Sequence, residues 1–450
     1  MHIIIIGGGD SGSELARALA ERHDCYVVDS DPAVAERFAS LNVQFVAGSG
    51  TSADTLHEVG VGHCDVLIAS TGQDEVNLVA CSIARKLGHP ETICFVSREE
   101  FLGPAGGQGS LRDHFGIDRV VWPEGQLADD IERIIVEPGA IDAEVFAGGQ
   151  IRMIEYRLEP GSPATHRPLA SLGLPRGSLI VAVKRAESLT IPRGATVLEP
   201  GDKVVIMASR EATQEVRARL LPDRLASLTS LQVTIVGGGD VGGRLAERLD
   251  ADRRVTLRLI ERDARRGEAL AARLRRALVI QGDGTDLELL ESEEIGRSDV
   301  LVSVIDNDER NLLASLLGRQ LGVKKVITRV SHRANLRLFE RVGIDVALSA
   351  RGAAVAAVVH HVEGGSTNLL AVLEEGQAQI VELVVPAGRR PTRLRDLGAP
   401  TESIVGAIQR GSRAFVPRGE DEIRAGDHVM VFTSSPAAES VRAFFAGSGA

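Results

Sequence analysis

A glycine fingerprint that closes a β-strand and opens a helix occurs twice, as Gly7-Gly8-Gly9-Asp10-Ser11-Gly12 and as Gly237-Gly238-Gly239-Asp240-Val241-Gly242. One such motif is weak evidence, but two with matching surroundings are strong. The first follows the apolar run His2-Ile3-Ile4-Ile5-Ile6 and the second follows Val233-Thr234-Ile235-Val236; each leads into a helical pattern. This strand-turn-helix context is what the motif needs to bind a dinucleotide. The first glycine makes a tight turn, the second admits a pyrophosphate to the backbone, and the third lets the helix pack on the strand. The helix N-terminus supplies free N–H groups for the phosphates.

A second strand ends in an acid in each copy, at Asp29 and at Glu261. An acid at this distance from the turn accepts hydrogen bonds from a ribose diol and repels a 2′-phosphate. NADP is therefore disfavoured, while NAD, ADP and ATP all satisfy the pattern. The ligand class is an adenosine nucleotide.

The repetition extends beyond the fingerprint. Gly48-Ser49-Gly50-Thr51 is matched by Gly282-Asp283-Gly284-Thr285, and Asp74-Glu75-Val76-Asn77 by Asp308-Glu309-Arg310-Asn311, in nearly constant register. A different block, with short β-branched strands between Pro and Gly turns, follows each copy: Ile191-Pro192-Arg193-Gly194 in one and Val416-Pro417-Arg418-Gly419 in the other. The order is A-B-A-B, an internal duplication with its seam between Arg219 and Ser230. The expected fold class is α/β: two Rossmann-like parallel-sheet units, at 1–137 and 231–362, each followed by a small α+β unit, at 138–222 and 363–450.

A chain of 450 residues suits four such units. Its 44% hydrophobic content comes with only 3% aromatics, as parallel sheets tend to show. A net charge of −11 argues against a nucleic-acid surface. No apolar run reaches the length of a membrane span, and the N-terminus passes straight into a strand, so a cytoplasmic protein is expected. Cys25, Cys64, Cys81 and Cys94 match neither a zinc nor a disulfide spacing and read as reduced core residues. His63-Cys64 and His360-His361 lack the further ligands that a metal site needs. Neither B unit offers a proton-transfer constellation, so the nucleotide reads as a ligand to be sensed, with no enzymatic activity expected. The alternatives are an NAD-dependent oxidoreductase with an unrecognised substrate site, and a structural ring with constitutive nucleotide.

The A-B-A-B order, the two fingerprints, Val27-Val28-Asp29-Ser30-Asp31 and Asp74-Glu75-Val76-Asn77 resemble the TrkA family of potassium-uptake regulatory subunits, built of two RCK_N (KTN) and RCK_C pairs. The resemblance covers essentially the whole chain. It implies a TrkH/TrkG-type membrane potassium transporter as partner, peripheral association with the inner face of the membrane through it, a homo-oligomeric, tetrameric ring, and gating by NAD(H), ADP or ATP. It places Gly7, Gly9, Asp10, Ser11, Gly12, Asp29 and Gly48 at the first nucleotide, with Thr71, Asp74 and Asn77 across the cleft. At the second it places Gly237, Gly239, Asp240, Val241, Gly242, Glu261, Gly282 and Asp283, with Asp308, Asn311 and Arg329 across from them.

Two departures from the family pattern matter. Asp10 and Asp240 stand where the family often has an uncharged residue, and a carboxylate there repels a pyrophosphate unless it caps the helix or meets a cation. Phe95 stands in the first copy where the second has Arg329 and the family commonly has an arginine. Arginine can hold phosphate through two charge-assisted hydrogen bonds and phenylalanine cannot, so the second site is expected to favour the more highly charged ligand if Arg329 faces it. The competing expectation is that Arg329 points to solvent or pairs with Asp308 at the surface.

Overall fold

The computed structural model describes the chain except for residues 103–113, 187, 223–229, 368, 374–376 and 447–450, so most of the expected seam between Arg219 and Ser230 lies outside the described residues. In the first half, β1 (His2–Ile6), α1 (Asp10–Leu19), β2 (Asp24–Asp29), β3 (Val43–Ala47), α2 (Ala53–Glu58), β4 (Val66–Ala69), α3 (Asp74–Leu87), β5 (Glu91–Phe95) and β6 (Arg119–Val121) build a six-stranded sheet. Its order is β3-β2-β1-β4-β5-β6, with every pair parallel. The order reverses between β1 and β4, which is where ligands of open α/β sheets bind. Ile3 to Ile6 are buried on both faces of β1, as a central parallel strand requires.

After α4 (Pro123–Val136) comes the first small module: β7 (Ala140–Phe146), β8 (Ile151–Arg157), β9 (Ser178–Arg185), β10 (Ser188–Thr190), β11 (Lys203–Ser209) and α5 (Thr213–Leu220). Its strands form an antiparallel sheet in the order β10-β9-β11-β8-β7. The second half repeats the plan. β12 (Leu231–Val236), α6 (Asp240–Ala251), β13 (Val255–Glu261), α7 (Ala264–Arg273), β14 (Leu278–Gln281), α8 (Leu287–Ser292), β15 (Val300–Ser303), α9 (Asp308–Leu321), β16 (Lys325–Arg329), α10 (Arg333–Arg341) and β17 (Val346–Leu348) give a parallel sheet ordered β14-β13-β12-β15-β16-β17. Helix α11 (Ala350–Thr367) then leads to β18 (Leu369–Leu373), β19 (Ala378–Val384), β20 (Thr392–Arg393), β21 (Ser403–Arg410), β22 (Arg413–Phe415), β23 (Glu422–Ile423), β24 (His428–Ser434) and α12 (Ala438–Ala446). The fold class is thus two Rossmann-like parallel sheets, each with a small antiparallel α+β module.

The cores do not follow the chain. Leu127, Ala128, Ile131, Ile134 and Ile135 of α4 are buried among Leu231, Val233, Leu245 and Leu249, in the core of the second parallel sheet. Ala354, Val355, Val358, Val359 and Val362 of α11 are buried among Ile3, Ile5, Leu15 and Leu19 of the first. Each half therefore lends one helix to the other. The antiparallel modules also join face to face, with Met153, Val205 and Met207 sharing a core with Ile380, Met430 and Phe432. Gly406 marks a close approach, since a Cβ there would lie 2.1 Å from the Met207 Sδ.

Candidate functional site

The three glycines of each turn have three different surroundings. Gly7 and Gly237 have φ of +101° and +104°, a left-handed conformation that side chains rarely adopt, and a Cβ on either would press on backbone of the loop after β4 or β15. Gly12 and Gly242 sit where the helix crosses the turn: a Cβ would come 1.8 Å from the carbonyl oxygen of Gly7 or Gly237. Gly9 and Gly239 have no atom within 4 Å of that position. The middle glycine of each motif thus faces open space at the start of α1 or α6, where a diphosphate would lie.

The acids are locked by the same turns. Gly8 N donates to Asp29 Oδ2 at 2.6 Å and Asp31 N to its Oδ1 at 2.8 Å; Gly238 N and Asp263 N donate to the two oxygens of Glu261 at 2.7 Å each. A carboxylate has about four acceptor sites, so each keeps capacity for a ribose diol while its direction is set by backbone. Gly48 N and Gly282 N donate to the carbonyls of Asp29 and Glu261 and extend the strand pairing beside them.

Across the switch point, Asn77 Oδ1 accepts from Thr71 N at 2.9 Å, and Asn77 Nδ2 donates to the carbonyls of Thr71 and Phe95 at 3.0 Å. Asn311 does the same for Ile305 and Arg329. Asp74 accepts from Ser97 N and Arg98 N, and Asp308 from Ser331 N and Asn335 Nδ2. Burial works against the charge on Asp308, but the hydrogen bonds from Asn335 and Ser331 outweigh it and hold its carboxyl below the usual range. All four side chains are buried in these bonds, so they brace the rim, and Asp308 and Asn311 do not line the second cavity. Nor does Asp283, which turns inward to Thr285 and to Arg310 Nη2 at 2.6 Å. Val241 is buried in the core, and Ser11 is half-buried in the first turn of α1.

The second cleft is a cavity of about 750 Å³ lined by Gly237, Gly239, Asp240, Val241, Glu261, Gly282 and Arg329. That volume is in the range of small-molecule sites. Arg329 faces it, with only 17% of its side chain exposed; it pairs with Asp306 at 3.0 Å rather than with Asp308, and its buried Nε has no partner among the described residues. Five more arginines line the cavity, Arg244, Arg262, Arg266, Arg273 and Arg310. Of these Arg244, Arg262, Arg266 and Arg310, together with Arg329, stand where the first copy has Glu14, Ser30, Val34, Val76 and Phe95. Position-by-position comparison of the two copies carries that signal, which for Arg244, Arg262, Arg266 and Arg310 no single motif does.

Glu124 also lines this second cavity, although it belongs to α4 of the first half. Its Oε2 has no partner among the described residues, and burial pushes its carboxyl up while Arg329 draws it down. In the first cleft the arrangement is reversed. Asp10 pairs with Arg37 at 2.8 Å and with Arg351 of α11 at 3.0 Å, and the hydrogen bond from Arg37 leads in holding its carboxyl low. Asp10 thus meets two cations. No sequence pattern points to Glu124 or Arg351, because each lies in the half opposite to the cleft it reaches.

The four cysteines are buried and unpaired, and burial pushes the Cys64 thiol up to about 12, far from a nucleophile's range. Among the described residues no group of three or more His, Cys, Asp or Glu side chains is placed to hold a metal. No helix among them is long and apolar enough to cross a membrane.

The chain matches the TrkA-N domain over residues 3–123 and 233–350, and the TrkA-C domain over 153–221 and 380–446. It is 36% identical over 447 residues to the Trk system potassium uptake protein TrkA homolog of Archaeoglobus fulgidus, covering 99% of this chain and 100% of that protein. It is 32% identical to the Trk system potassium uptake protein TrkA of Halomonas elongata, covering 96% and 95% of the two chains. Among solved structures, the GsuK RCK domain aligns over 99% of this chain and 95% of its own, with a TM-score of 0.60 and 20% identity, and the GsuK channel bound to NAD over 99% and 79%, with a TM-score of 0.61 and 20% identity. The relatives are named for potassium uptake and not for a catalysed reaction. With both domain types present twice in alternation, and full-length relatives above 30% identity, this chain belongs to the TrkA family of Trk-system potassium uptake proteins.

Proposed function

We propose that this chain is a cytoplasmic, nucleotide-sensing regulatory subunit that gates a TrkH/TrkG-type potassium translocation subunit, assembling as a tetrameric ring on its inner face. The observation that carries the reading is the open face at Gly9 and Gly239 beside a backbone-locked acid, built twice at the switch point of a parallel sheet. Gly7, Gly9 and Asp29 would hold one adenosine nucleotide, and Gly237, Gly239, Glu261 and Arg329 another. NAD(H), ADP and ATP all fit that chemistry, and the arginines favour the more phosphate-rich ligand in the second cleft. The units 1–137, 138–222, 231–362 and 363–450 serve as the alternating nucleotide and accessory domains along the chain.

Gating follows from differential binding. A nucleotide shifts the transporter between states only by the ratio of its affinities for the two ring conformations. The test is potassium flux in vesicles containing a TrkH-type subunit, with and without this chain, titrated with NADH, ADP and ATP. The reading requires flux that changes with nucleotide only when the chain is present, and nucleotide recovered intact by mass spectrometry. Flux indifferent to every nucleotide, or steady consumption of NADH, would overturn it.

A further inference from the structure

Resting on the nucleotide reading above, we infer that Arg351 is a phosphate-binding residue of the first cleft supplied by the opposite half of the chain, so that a ligand there holds the crossover helix α11 against the first sheet. Asp10 follows Gly9 directly and opens α1. Alone, its carboxylate would repel a diphosphate laid over the open face of Gly9. In the structure it instead anchors two guanidinium groups, Arg37 on Oδ1 and Arg351 on Oδ2. Two cations against one anion leave this three-residue cluster net positive.

The contact to Asp10 is made through Nη1 of Arg351, and a guanidinium carries five N–H donors in a planar fork. Asp10 therefore orients Arg351 at the N-terminus of α1 with donors left for phosphate oxygens. Arg351 is the second residue of α11, and the rest of that helix is bound into the first core through Ala354, Val355, Val358 and Val359. A charge drawn toward the ligand at Arg351 thus pulls on a helix whose chain continues into the second antiparallel module.

The second cleft gives the contrast. Glu124 occupies the same second position of α4 and reaches that cleft from the first half, so the residue exchanged is a cation in one direction and an anion in the other. The two clefts are wired across the halves with opposite charge, and only the first receives a phosphate ligand from its neighbour.

The experiment uses the whole chain carrying Gly239→Val, so that only the first cleft reports, with ADP and adenosine as probes in calorimetry. Arg351→Gln is expected to weaken ADP about tenfold and leave adenosine unchanged, with Arg351→Lys between it and the parent. Hydrogen exchange supplies a second readout: ADP slows exchange over residues 350–362 in the parent and not in Arg351→Gln. Equal losses for ADP and adenosine would mark a packing role and overturn the inference. So would undiminished ADP binding in Arg351→Gln when Gly9→Val abolishes it. If Gly9→Val leaves ADP binding intact as well, the nucleotide reading of the cleft itself fails.

Discussion

Lys325, on β16 of the second half, donates to the carbonyl of Ile134 at 3.3 Å and to that of Ala140, so its ammonium closes the C-terminal end of α4 from the first half. A helix C-terminus leaves carbonyls without intrahelical partners and carries partial negative charge, which a cation satisfies. This lysine joins the C-terminal end of the crossover helix to the start of β16, beside the apolar packing of the helix.

The same burial pushes the Lys325 ammonium down to about 8 from an ordinary value of 10.5, against the pull of Asp345 and Glu137. Between about pH 8 and 10.5 the unfolded chain then binds more protons at this group than the folded one, so its contribution to stability rises with pH across that window and is flat below it. Unfolding midpoints of the wild type and of Lys325→Met, compared from pH 7 to 10.5, should diverge in favour of the wild type as pH rises. Parallel curves would show that the ammonium is not desolvated in solution.

The glycines make a paired prediction. Gly9→Val should fold normally and lose nucleotide at the first cleft, because its Cβ meets no protein atom but occupies the diphosphate space. Gly12→Ala should instead lose stability by about 3 kcal/mol or more, as expected when a buried contact is overpacked, since its Cβ lies 1.8 Å from the Gly7 carbonyl oxygen. Thermal unfolding with calorimetry on both variants separates the two effects. A stable Gly12→Ala chain would contradict the close helix-turn contact.

Arg329→Ala should weaken ATP at the second cleft about tenfold, the worth of a charge-assisted pair, with little change for adenosine. The measurement belongs in the full chain with the first cleft blocked by Gly9→Val. An equal loss for both ligands would mean that Arg329 shapes the rim through Asp306 and does not touch phosphate.

Halves made separately, residues 1–222 and 231–450, should not behave as monomers. Each exposes the apolar face of its own crossover helix, including Leu127 and Ile131 in one and Val355 and Val358 in the other, and lacks the helix that covers its sheet. Light scattering should find self-associated species for each half and a one-to-one complex when they are mixed. Stable monomeric halves would place the cores within each half.

The duplication, the Rossmann-type order, the three glycine tasks and the acids Asp29 and Glu261 are all legible in the chain, because each depends on residues a few positions apart whose periodicity or backbone conformation is locally dictated. Asp74, Asn77, Asp308 and Asn311 were also legible as conspicuous residues, yet only their buried hydrogen bonds to neighbouring strands make them braces of the rim. Arg329 could be singled out, but whether it met Asp306, Asp308 or solvent depended on where the loop after β15 lies. The exchange of α4 and α11 left no sequence signal at all: an amphipathic helix shows that it needs a core without saying whose. That choice is made by packing between residues about a hundred or more positions apart, and with it come Arg351 at Asp10 and Glu124 in the second cleft. Local chemistry determined what each cleft is built from; tertiary packing decided which half completes it.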